Sequence, residues 1–157
     1  MDNLSSRPGD FRRYVADPMP TAMQKIDNID ELNALRDQQR AVVFLWVDWA
    51  IHARHSARAA EEMSDRWNHQ HNDATIALSQ VDLTEQSGEM WDAMNDWLAS
   101  QDIADATGLL YGGAGAVIWI RSGEIIRYVI NANAETVDGL LEIMNHSFGS
   151  QEPTDAT

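Results

Sequence analysis

Hydrophobic positions along the middle of this chain switch repeatedly between a helical and an extended period, and each switch predicts an element. Ile29, Leu32 and Leu35 keep helical spacing after Asn28, a residue suited to cap a helix, with Glu31 at the reciprocal position of a capping box. Ala41 to Val47 (Ala-Val-Val-Phe-Leu-Trp-Val) is apolar throughout and rich in β-branched residues, the pattern of a strand buried on both faces. Residues 53–70 return to the helical period. Ala53, Ala57, Ala60, Met63 and Trp67 form one stripe, while Arg54, Arg58, Glu61, Glu62, Asp65 and Arg66 cover much of the remainder. Residues 75–82 predict a second strand. Residues 87–100 predict a helix with Met90, Trp91, Met94 and Trp97 as its apolar stripe, and 102–109 a further short helix. Ala116 to Ile120 predicts a third strand, 121–124 (Arg-Ser-Gly-Glu) a hairpin turn, and Ile125 to Val129 a fourth strand. Asn133 is placed to cap a last helix whose inward positions are Val137, Leu140, Leu141 and Met144.

The strand, helix and second strand between 41 and 82 should cross over right-handedly into a parallel pair. The hairpin adds an antiparallel pair. The expected fold class is therefore α/β: a mixed four-stranded sheet flanked by helices on both faces, with a helical insertion around 84–107. All four prolines (Pro8, Pro18, Pro20 and Pro153) lie outside the patterned region. The chain divides into a flexible N-terminal arm (1–20), one domain (21–148) and a flexible C-terminal tail (149–157).

Composition narrows the function classes. The 157 residues are 44% hydrophobic, enough to build a core. Lys and Arg total 11 against 25 Asp and Glu, a net charge of −14. That balance opposes attraction to phosphate, so neither nucleic acid nor a membrane surface is expected as a partner. Lys25 is the single lysine; an acidic, lysine-poor surface of this kind predicts stability that rises with added salt. The absence of cysteine excludes thiol catalysis, disulfides, iron–sulfur clusters and cysteine-ligated zinc. No apolar run approaches a membrane span. Met1 to Asp17 is polar, carries Arg7, Arg12 and Arg13, and is not followed by an apolar stretch, so it does not read as a secretory signal and a cytoplasmic setting is expected.

Two segments resemble the thioredoxin family. Val42 to Ala50 (Val-Val-Phe-Leu-Trp-Val-Asp-Trp-Ala) looks like the strand leading into that family's active site, with Trp46 and Trp49 where the family often carries tryptophans flanking an acid, here Asp48. Gly113 to Glu124 resembles the family's third and fourth strands with their Gly-Glu turn. The resemblance spans roughly residues 25–148, and the stretch through 84–107 looks longer than the family's usual connection by about one helix. On this resemblance the two redox cysteines would fall at Ala50 and Ala53, the buried acid at Phe44, and the cis-proline at Gly115; no proline occurs anywhere in 21–152. Alanine carries no nucleophile, and thiol exchange requires a thiolate. The resemblance therefore implies a redox-inactive protein without the family's enzymatic activity and without a cofactor. It implies a binding or assembly (chaperone-like) protein that recognises a protein or peptide partner through the face where the redox motif would lie. The residues expected there are Trp49, Ala50, Ile51, His52, Ala53 and His55, with Gly113, Ala114 and Gly115 on the facing loop.

Other readings draw on the same region. His52 and His55, three apart on a helix, could hold a metal ion if a carboxylate such as Asp48 joined them. They are the weak candidates for a metal-dependent or otherwise unconventional enzyme. The His-Glu-x-x-His pattern is absent, histidines near helix ends are commonly just solvated, and no metal site is expected. His69 and His71 stand too far along to share that ion, His71 being about 24 Å from His55 at 1.5 Å per residue. Asp48, His52 and Ser56 have the residue types of a hydrolase triad, but no oxyanion donors are identifiable and the serine lies within a helix. The glycines of 112–115 precede a strand and do not open a helix, unlike a phosphate loop. They either let the backbone approach a neighbour closely or keep a peptide groove open. Of the six tryptophans, Trp67, Trp91, Trp97 and Trp119 are expected in the core, and Trp49, which ends the strand, is either a surface contact or partly buried against the sheet end. Asp92, Asp96, Asp102 and Asp105 make the insertion acidic, either for solubility or for docking a basic partner. A small ligand bound at the same face without turnover, such as glutathione or a peptide, is a third reading.

Overall fold

The computed structural model describes residues 23–85, 87–103, 106–111 and 115–149. The expected arm lies outside the described residues, as does the expected tail beyond Gly149. Strand β2 (Arg40–Trp46) runs through the centre, and every residue from Ala41 to Trp46 is buried. Consecutive burial of this kind requires cover on both faces of the sheet. Strand β3 (Leu78–Asp82) lies parallel on one side of β2, placing Leu78 beside Val42. Strand β4 (Val117–Arg121) lies antiparallel on the other, placing Trp119 opposite Val42. Strand β5 (Glu124–Val129) folds back on β4 through a two-residue loop. Ser122 (φ 52°) and Gly123 (φ 84°) are both left-handed there, the turn whose twist matches that of paired strands.

Among the described residues the sheet has five strands in the order β1-β3-β2-β4-β5, not the four the periodicity predicts. The additional strand, β1 (Gln24–Ile26), pairs parallel with the outer side of β3 and buries only Ile26. Three residues with one buried side chain carry no period of their own; β1 exists because β3 offers it an edge.

Helix α1 (Ile29–Arg36) starts where expected: the Asn28 side chain accepts the Glu31 N–H at 2.8 Å. The Glu31 carboxylate accepts from the Asp27 N–H at 2.6 Å and not from Asn28, so the reciprocal bond is displaced by one residue. Helix α2 (Ile51–Gln70) buries Ala53, Ala57, Ala60, Met63 and Trp67 together with Ser56 and Ser64. Its small residues near the N-terminal end let the helix lie close over β2. The insertion forms α3 (Glu89–Ser100) and α4 (Ala106–Tyr111). The Arg36 guanidinium sits 4.8 Å from the Trp97 ring centroid and ties α1 to α3. Just past the end of α3, the Gln101 side chain accepts the N–H of Ile125 on β5 at 3.0 Å.

The last helix, α5 (Val137–Met144), packs against α2. Its cap is Thr136, whose hydroxyl accepts the Gly139 N–H at 2.9 Å, and not Asn133. Asn133 instead belongs to a short 3₁₀ turn (Ala132–Ala134) whose geometry is set by contacts with α2. No helix among the described residues is long and apolar enough to cross a membrane.

Candidate functional site

The parallel strands β2 and β3 end at the same end of the sheet, and the chain leaves β2 through Val47, Asp48 and Trp49 into α2. Thr84, just past β3, holds this exit. Its hydroxyl accepts the Asp48 N–H at 2.9 Å, and its carbonyl accepts the Trp49 indole N–H at 3.2 Å. Asp82 in turn fixes Thr84: one carboxylate oxygen accepts both the Thr84 N–H, at 2.9 Å, and its hydroxyl. The hydroxyl thus accepts from one strand end and donates to the other. The consequence is an indole that is 55% exposed yet held by a hydrogen bond, beside an Ile51 side chain that is 64% exposed.

The remaining expected residues divide by burial. His52 and His55 are exposed on the first turns of α2, and Ala50, the residue before the helix, is half-buried. Ala53 is fully buried on the face toward the sheet. Gly113 and Ala114 lie outside the described residues. Gly115 is buried, with φ at +88°. A Cβ built on it would stand 2.3 Å from the Ser56 Cβ, 2.8 Å from the Ser56 Oγ and 3.0 Å from the Phe44 Cζ. Of the two roles glycine could serve here, close approach is the one realised; at position 115 there is no open groove, because α2 fills it.

Ser56 uses its hydroxyl inside the protein. It accepts the Asn133 N–H at 2.9 Å and donates to the Asn131 carboxamide oxygen at 3.2 Å. The backbone closes the same joint, with the Ala132 N–H donating to the Gly115 carbonyl at 3.0 Å. Ser56 is thus a fully buried brace and not a nucleophile presented to a ligand. Among the described residues no three His, Asp or Glu side chains converge to hold a metal ion. At the other end of α2, His71 stacks on Trp67 with ring centroids 3.7 Å apart and donates its Nδ1–H to the Trp67 carbonyl at 2.9 Å, which makes it part of the helix terminus.

Asp82 and Thr84 are the residues of this region that the periodicity misses. Asp-x-Thr is a local turn signal, because an Asp side chain readily accepts the N–H two residues on. That signal marks a turn after β3, but not that the turn grips a tryptophan 35 positions away.

No family model and no curated protein sequence matches the chain. Solved structures do. Human ERp44 aligns with a TM-score of 0.55 at 17% identity over 82% of this chain, which spans 30% of the ERp44 chain. Oxidised thioredoxin from Plasmodium falciparum aligns at 0.53 with 13% identity, covering 78% of this chain and 97% of that one. A mutant thioredoxin from Halobacterium salinarum aligns at 0.50 with 13% identity, covering 82% and 93%. At these identities the likeness is one of fold.

Proposed function

Given that the chain has a thioredoxin-like fold and no cysteine anywhere in its sequence, we propose that it is a binding or assembly protein that recognises a protein partner through the exposed end of β2 and the start of α2. The observation that carries this reading is Trp49. A large aromatic side chain left in water loses the burial free energy it could gain, roughly 2–3 kcal/mol. This one is exposed, beside an exposed isoleucine, and is nevertheless fixed by Thr84. Ordering a side chain in advance lowers the entropic cost of binding, and tryptophan is enriched among residues that dominate interfaces. The contact surface is Trp49, Ile51, His52 and His55, with Ala50 beneath them; Ala53 and Gly115 serve the packing that supports it. The missing thiols remove the family's dithiol exchange at this place and leave the framework around it.

The test is capture from cells that make the protein naturally, with wild type and a folded Trp49→Ala, His52→Ala variant as baits. The expected result is a protein retained by wild type and lost by the variant, with the same difference reproduced between purified components. A partner held equally by both baits would place its interface elsewhere.

A further inference from the structure

The exposed pair Trp49 and Ile51 is bordered by carboxylates. Asp48 precedes the indole, and the Thr84 hydrogen bonds bring Asp82 and Glu85 to the same end of the sheet. Asp82 commits one oxygen to Thr84. Asp48 and Glu85 are exposed, and their carboxylates make no hydrogen bond or ion pair with any described residue. Glu89 and Asp92 follow in the first turn of α3. Across 48–55 and 82–92, Arg54 is the only lysine or arginine. Five carboxylates (Asp48, Asp82, Glu85, Glu89 and Asp92) against that one arginine leave the surroundings of the apolar spot net negative, which disfavours acidic segments and attracts cationic ones over a Debye length, about 8 Å at physiological salt. The indole face adds to this preference, since a guanidinium over tryptophan is attracted by the ring quadrupole.

Resting on the reading above, we propose that the occupant of this face is a short protein segment in which a large aliphatic side chain is flanked by arginines. The aliphatic group covers Ile51 and the edge of Trp49. The guanidinium groups pair with Asp48 and Glu85, whose carboxylates have no described partner to give up. Arginine fits better than lysine because it can both fork onto a carboxylate and stack on the indole.

Fluorescence anisotropy on the full chain tests this, using short labelled peptides that share a central leucine and differ only in its flanks: arginine, glutamine or glutamate. The arginine peptide should bind about tenfold more tightly than the glutamine peptide, from two exposed ion pairs. The advantage should shrink in high salt, and the glutamate peptide should bind weakest. Asp48→Asn with Glu85→Gln should bring the arginine peptide down to the affinity of the glutamine peptide measured on the same variant; both side chains are exposed. If the three peptides bind equally and all are lost with Trp49→Ala, the charge preference is refuted and the binding face stands. Binding that survives a folded Trp49→Ala variant refutes both. An arginine peptide that does not bind overturns this inference, while the capture experiment decides the face independently.

Discussion

Replacing Gly115 by alanine tests how tightly the segment leading into β4 is packed against α2. The new methyl would sit 2.3 Å from the Ser56 Cβ, whereas carbon atoms in contact prefer about 3.5–4.0 Å, so the loop or α2 must move by more than about 1 Å. Overpacking of that kind costs about 1–3 kcal/mol. The φ of +88° adds roughly 1–2 kcal/mol for any residue with a side chain. The sum, about 4 kcal/mol, corresponds to a fall in Tm on the order of 10 °C for a chain of this size. A double-mutant cycle separates the two parts. Ser56→Gly removes the clashing atoms; alone it should cost about 2 kcal/mol, from a glycine within a helix and the lost hydroxyl bonds. In the double variant the clash is largely relieved while the φ strain remains, which predicts a favourable coupling of roughly 1–2 kcal/mol. Urea unfolding followed by the fluorescence of the buried tryptophans gives all four stabilities. A Gly115→Ala cost under about 1 kcal/mol, or additivity within about 0.5 kcal/mol, would refute the close-approach argument.

Other outcomes follow from the same geometry. Thr84→Val keeps the shape and the carbonyl that holds the indole but removes the hydroxyl that bridges Asp48 and Asp82; it should cost about 1 kcal/mol and broaden the Trp49 indole N–H resonance, and an unchanged resonance would show that the hydroxyl is not needed to place that carbonyl. Thr136→Ala should destabilise by about 1 kcal/mol through loss of the α5 cap, and Asn133→Ala by clearly less; thermal melts giving the reverse order would return the cap to Asn133. Raising salt from about 0.1 M to 1 M shortens the Debye length from about 10 Å to 3 Å and should raise Tm by several degrees, because the net charge of −14 is self-repelling; a flat Tm would reject that account.

What could be read from the sequence was local and periodic. The run Ala41–Val47, short and rich in β-branched residues, reads as a doubly covered strand, and the stripe from Ala53 to Trp67 reads as a helix facing a core. Asn28 announced a helix start because a cap and its N–H lie three residues apart. Each feature the sequence did not disclose depends on a contact between distant positions. β1 is defined by its pairing with β3. Asn133 looks like a cap, but Ser56, 77 positions earlier, holds its backbone inside the 3₁₀ turn, and the helix begins only after Thr136, whose hydroxyl caps it. The place of Trp49 at the end of a strand is compatible with a surface contact or with partial burial against the sheet end; its exposure, and the grip of Thr84 on its indole, come from the structure. At Gly115 the residue type was informative and the neighbour was not: glycine signalled either close approach or an open groove, and only Ser56 decides between them.

The bond between Gln101 and the Ile125 N–H bears on how the molecule survives being crowded. β5 is an outer strand, with Ile126 and Ile130 exposed along it and just beyond its end, and a row of free backbone groups on such a strand can template another chain into intermolecular sheet. Net charge ordinarily keeps copies apart, but that protection disappears in strong brine or near the isoelectric point. A side-chain amide occupying a backbone N–H at the start of the strand needs no charge and is not screened. The long-range field and this single occupied hydrogen-bonding position thus oppose edge pairing by two different means, only the first of which depends on salt and pH.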